Sequence, residues 1–182
     1  MSYRYEIRLS GEGGQGLVLA GKILAEAAAI YDDKNATQSQ SYGPEARGGA
    51  SRSEVIISDE DIDYPKAINI DLLLALTQEA CNRYSKDLKE NGILLVDSDS
   101  VKDCPKGNYK RYSVPIIETA RSQIGRVVVA NIVSLGIIVE LTKIVSMEAI
   151  ESAILARVPK GTEKINLQAL KVGAEMGKQL IS

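Results

Sequence analysis

The chain contains no histidine, tryptophan or phenylalanine. Without histidine there is no Ser-His-Asp or Cys-His catalytic arrangement, no histidine zinc site and no imidazole pH switch. All eight aromatics are tyrosines, so the core must be built from Val, Ile, Leu and Ala. Cysteine is scarce too: Cys81 and Cys104 are the two present, with no C-x-x-C pairing. A standard iron–sulfur cluster takes four thiolates, so this chain cannot hold one alone. Two thiols outside any motif fit a reducing compartment. Neither charge sign dominates, with Lys and Arg at 22 against Asp and Glu at 24, a formal net charge of −2. No long block of one sign occurs, which argues against a nucleic-acid groove or an acidic-membrane footprint.

Long apolar runs are also missing. Met1 to Arg8 alternates polar and apolar residues without the apolar centre of a signal peptide. The most apolar stretch, Val127 to Leu141, is interrupted by Asn131 and Glu140 and is too short and polar to span a bilayer. A cytoplasmic location without membrane contact is expected. The 182 residues suit one domain spanning 1–182, and 45% hydrophobic composition supplies one sizeable core.

The periodicities alternate between strand and helix. Tyr3, Tyr5, Ile7 and Leu9 share one face and Arg4, Glu6 and Arg8 the other, as in a half-exposed strand. A glycine turn, Gly11 to Gly16, leads into a helix over Leu17 to Ile30. Strands are expected over Ala36 to Gln40, Glu54 to Ser58, Ile70 to Leu76, Ile93 to Val96 and Tyr109 to Val114, with Asn91-Gly92 as a turn. Thr77 caps a short helix to about Leu88, and Pro115 opens another over Ile116 to Ser122. Arg126 to Lys143, apolar on nearly every side, predicts a helix buried by neighbours or by a partner subunit. Helices from Ser146 to about Val158 and from Asn166 to Leu180 complete the chain. The pattern predicts an α/β fold, a Rossmann-like three-layer α/β/α sandwich around a mostly parallel or mixed sheet.

Three segments could carry chemistry. Gly11, Gly13 and Gly16 have G-x-G-x-x-G spacing between a strand and a helix, the setting in which amides approach an anion. A dinucleotide site also needs an acidic residue ending the second strand, where Gln40-Ser41-Tyr42 stands instead. A nucleotide or flavin, another anion or coenzyme, and a structural tight turn all stay open. Ser41 to Gly49 brackets Tyr42, Glu45 and Arg47 between Gly43-Pro44 and Gly48-Gly49, a loop able to aim Arg47 and Glu45 at an interface or an anion. Asp97 and Asp99, after a buried strand, could hold Mg²⁺ or serve as turn and cap residues. Gly173 and Gly177 form a G-x-x-x-G that in a water-soluble helix signals close packing.

Read in order, Gly13-Gly-Gln-Gly16 with Ala20-Gly-Lys-Ile-Leu-Ala25, Tyr42-Gly-Pro-Glu-Ala-Arg-Gly-Gly49, Asn131 with Leu135-Gly136, and Asn166-Leu167 with Gly173 resemble the gamma subunit of 2-oxoacid:ferredoxin oxidoreductases. Thr37-Gln-Ser-Gln-Ser41 is more similar to the 2-oxoglutarate branch than to the pyruvate branch. The resemblance implies an accessory subunit, inactive alone, of a complex that converts a 2-oxoacid and coenzyme A to acyl-CoA, CO₂ and reduced ferredoxin, or runs in reverse. It implies thiamine diphosphate, Mg²⁺ and iron–sulfur clusters on alpha, beta and ferredoxin-like delta subunits, with ferredoxin reached through the complex. Gly11, Gly13, Gly14, Gln15, Gly16, Tyr42 and Arg47 then become candidate coenzyme A contacts or interface residues, with Glu12 opposing an anion. Competing readings are a stand-alone nucleotide- or flavin-binding oxidoreductase and a pure interaction subunit without ligand. Further expectations are that the chain alone binds neither NAD nor FAD, that without partners it self-associates, for instance as a homodimer, or stays poorly soluble because of the Arg126 to Lys143 helix, and that the two glycine segments lie close together.

Overall fold

The computed structural model describes residues 2–41 and 50–182. Six strands form one sheet: β1 (Arg4–Glu12), β2 (Asn35–Ser41), β3 (Ala50–Ser58), β4 (Ile70–Ala75), β5 (Leu88–Asp97) and β6 (Tyr109–Val114), in the order β2-β3-β1-β4-β5-β6. β1, β4, β5 and β6 pair in parallel, whereas β3 runs antiparallel to both β1 and β2. The sheet is therefore mixed, with a single reversed strand. The crossover from β1 through α1 (Leu17–Glu26) delivers β2 two positions away, and β3 returns to fill the gap.

Helices α1, α3 (Ile116–Thr119), α4 (Ala130–Thr142), α5 (Met147–Arg157) and α6 (Glu163–Ile181) contribute to the larger core, against Ile7, Leu9, Val55, Ile57, Leu72 and Leu74. The opposite face carries a thinner layer, in which α2 (Gln78–Tyr84) and Val101 cover Ile56, Ile70, Leu73, Leu94 and Val96. The three layers are thus unequal.

Several local readings hold. The Thr77 hydroxyl accepts from Ala80 N at 3.2 Å and the Ser146 hydroxyl from Ala149 N at 3.1 Å, capping α2 and α5. Pro115 stands at the cap rather than in the first turn, and a π-helical turn, Ala120–Ile124, extends α3 until Gly125 ends it at φ 85. Asn91-Gly92 does not turn the chain. Asn91 adopts a left-handed φ of 63 inside β5, which Asn tolerates, and the register shifts opposite Ile70 and Leu72 while the strand continues.

Two expectations need correction. β1 is not half-exposed: Glu6 and Arg8 are 2% and 3% exposed because the strand is central and covered on both faces. The apolar helix expected over Arg126 to Lys143 takes the first of its two expected forms, burial by neighbours, and the premise for self-association falls with the second. Ala130 through Glu140 are buried within this chain, against α1, α3 and α6, so an uncovered helix is no basis for self-association. Val127 and Val128, in the 3₁₀ turn before α4, are the exposed apolar residues there. Among the described residues, no helix is long and apolar enough to cross a membrane.

Candidate functional site

β1, α1 and α4 converge at the carboxyl edge of the sheet. β1 pairs with β3 as far as Glu12, and Gly14 and Gly16 then take left-handed φ values of 88 and 74 to start α1. A Cβ on Gly16 would stand 2.5 Å from Asn131 Nδ2. That close approach lets Asn131, at the start of α4, donate to the Gly16 carbonyl at 2.9 Å. Gly11 serves another purpose: a side chain there would collide with the Gln15 amide, which folds back and accepts from Glu12 N at 2.8 Å. Gln15 thus completes the turn itself. Gly13 has nothing within 4 Å of its Cβ direction, and no side chain caps α1. The amides opening that helix carry the partial positive charge that favours an anion.

A cleft of about 290 Å³ opens beside this turn, lined by Glu12, Gly13, Gly14, Gly16, Leu17, Val18, Ser41, Ser51 and Arg52. Arg52 is the cation that sequence reasoning missed. It pairs with Glu54 at 3.1 Å, and its guanidinium lies 5.5 Å from the Tyr84 ring centroid. The signal available was the alternation along β3, which puts Arg52 and Glu54 on one face.

The register brings both ends of the second glycine segment to this cleft, since Ser41 pairs with Arg52, and Ala50 with Glu12. Tyr42 to Gly49, including the candidates Tyr42 and Arg47, lie outside the described residues. The strand order also bears on the dinucleotide reading. The fingerprint needs its second strand beside the first, with an acidic end; here β3 intervenes and β2 ends in Ser41.

Asp97 is a cap. Its Oδ1 accepts from Ile117 N at 2.9 Å and its Oδ2 from Ser100 N at 3.0 Å, which occupies both oxygens with backbone. Among the described residues, no three His, Cys, Asp or Glu side chains gather as metal ligands.

Residues 6–176 match the family model described as pyruvate ferredoxin/flavodoxin oxidoreductase. The chain is 55% identical over 179 residues to 2-oxoglutarate synthase subunit KorC of Methanocaldococcus jannaschii, covering 97% of this chain and 96% of that one. Pyruvate synthase subunit PorC of the same organism is 33% identical, over 82% of this chain and 84% of its own length. Among solved structures, the gamma subunit of a keto/oxoacid ferredoxin oxidoreductase from Geobacter sulfurreducens superposes with a TM-score of 0.91 at 58% identity, covering 97% and 98% of the two chains.

Proposed function

The chain belongs to the pyruvate ferredoxin/flavodoxin oxidoreductase family, and from that premise we propose that it is the gamma-type accessory subunit of a 2-oxoglutarate:ferredoxin oxidoreductase. Residues 1–182 act in it as one domain. The observation that carries the branch is the contrast within one organism: 55% identity to its 2-oxoglutarate synthase subunit against 33% to its pyruvate synthase subunit. The reaction joins 2-oxoacid and coenzyme A into acyl-CoA with release of CO₂ and reduction of ferredoxin. In this reading thiamine diphosphate, Mg²⁺ and the clusters belong to the alpha, beta and delta subunits, as the family resemblance implies; for the clusters the composition agrees, since two cysteines cannot supply four thiolates. Co-expressed with those subunits, the chain should form a complex that reduces ferredoxin with 2-oxoglutarate at least tenfold more efficiently than with pyruvate, about 1.4 kcal/mol. The chain alone should reduce no dye with either. Equal use of both oxoacids would overturn the branch assignment.

Within that complex, the cleft at the carboxyl edge is the part this chain contributes toward coenzyme A or a neighbouring subunit. The uncapped α1 amides and Arg52 supply positive charge, and Arg47 adds another on the segment that starts and ends there. Glu12 opposes them. The amides and guanidinium groups suit the phosphates of coenzyme A or a carboxylate of a neighbouring subunit. Arg47→Ala separates the two: an apparent KM for coenzyme A raised roughly tenfold in an intact complex indicates the phosphates. Loss of co-purifying subunits indicates docking, and a variant that assembles and turns over normally removes both. Val127 and Val128 support a smaller apolar contact with a partner or a second copy of this chain.

A further inference from the structure

The two cysteines meet across a crossover that has no helix. β5 and β6 are parallel, yet the connection between them, residues 98–108, contains no helical segment and runs beside α2. Gln78 of α2 fastens it: its Oε1 accepts from Lys102 N at 2.8 Å and Asp103 N at 3.2 Å, while its Nε2 donates to Asp103 O at 2.6 Å. The next residue is Cys104, half-buried, whose Sγ lies 3.9 Å from the buried Cys81 Sγ on α2. A disulfide needs about 2.05 Å between sulfurs, so on the order of 2 Å remains to close.

We propose that Cys81 and Cys104 are a dithiol modification site, which a hydroperoxide oxidises to an intramolecular disulfide that fastens the 98–108 connection to α2. Cys104 reacts first because it is the more accessible thiol. Its proton goes to solvent and its sulfur attacks a peroxide oxygen. The O–O bond breaks, the departing oxygen takes a proton from solvent, and Cys104 becomes a sulfenic acid, two electrons having passed from sulfur to peroxide. The Cys81 sulfur then attacks that sulfur. The S–O bond breaks, and the leaving hydroxide takes the Cys81 proton as water. Two thiols and one hydrogen peroxide thus give one disulfide and two waters. Cys81 is unsuited to react first: burial, and then the neighbouring Cys104, push its thiol up to about 12, with Arg111 acting the other way.

The test treats the full-length reduced chain with stoichiometric hydrogen peroxide and follows it by intact mass and peptide mapping after alkylation. The expected product has lost two hydrogens and both alkylation sites, yields a crosslinked peptide joining Cys81 to Cys104, and reverts with a dithiol reductant. Its Tm should rise by roughly 5 °C, because a crosslink restricts the unfolded chain. Cys81→Ser should halt at a Cys104 sulfenic acid captured by dimedone, and Cys104→Ser should leave Cys81 unoxidised. Should Cys81→Ser fail to fold, Cys104→Ser, at a half-buried loop position, carries the comparison. Retention of both thiols, over-oxidation of Cys104 beside an intact Cys81, or a chain-to-chain disulfide would overturn the proposal.

Discussion

Replacing Gly173 by valine should destabilise the protein by at least about 3 kcal/mol, enough to lower Tm by roughly 10 °C. The reason lies in backbone against backbone. A Cβ on Gly173 would stand 2.9 Å from Val133 C and 3.0 Å from Val133 Cα, and closer still to that carbonyl oxygen. Gly136 on the facing helix is equally constrained, with Ala174 N at 2.7 Å and Gly173 C at 2.9 Å from its Cβ direction. α4 and α6 therefore touch along their main chains. No rotamer relieves such a clash, so the helices must separate, and α4, buried from Ala130 to Glu140, would lose its packing. Gly13→Ala is the matched control, since nothing lies within 4 Å there and its φ is not positive; it should change stability by less than about 0.5 kcal/mol. Urea unfolding of the two variants decides it. A Gly173→Val midpoint equal to that of the unaltered chain would refute the close helix contact.

That packing was partly legible beforehand. G-x-x-x-G at Gly173 and Gly177 announced a close approach, but the partner, α4, could be found only once the chain had folded. The same limit applies to β3. Val55, Ile56 and Ile57 mark a buried strand, whereas its reversed direction follows from where β2 and β1 lie, a long-range fact. At the site, glycine spacing located the turn and the family resemblance singled out Asn131. What the spacing left open was division of labour: Gly11 makes room for Gln15, Gly16 makes room for Asn131, and Gly13 stays open toward the cleft. Cys81 and Cys104, 23 positions apart, carry no motif, so only the path of the 98–108 connection reveals that they are neighbours.

Arg8 shows where alternation misleads, and its replacement should have the second large effect. Period-two patterning puts Arg8 on a polar face, and polar faces usually meet solvent. Here that face is covered by α2 and the Ser85–Asp87 turn, and the Arg8 charge is paired internally through its two terminal nitrogens, while its Nε has no hydrogen-bond partner among the described residues. Arg8 Nη1 donates to Asp87 Oδ2 at 2.6 Å and Nη2 to Glu54 Oε2 at 3.3 Å, while the guanidinium lies 5.1 Å from the Tyr84 ring centroid. Arg8→Met keeps much of the side-chain volume but leaves Glu54, whose side chain is 11% exposed, with Arg52 as its one remaining cation among the described residues. Breaking a buried pair costs about 3–5 kcal/mol, and because Arg52 still faces Glu54 and Asp87, at 35% exposure, can rehydrate, the loss should fall at the lower end. Glu54→Gln removes the carboxylate charge that Arg8 no longer balances, at the cost of its ion pair with Arg52. The double variant Arg8→Met/Glu54→Gln should therefore be more stable than the sum of the single losses implies, by about 1 kcal/mol or more. Chemical denaturation of all four chains in the cycle measures this coupling. Additive losses to within about 0.5 kcal/mol would mean that Arg8 contributes through its packing on Tyr84 and Asp87 rather than through Glu54.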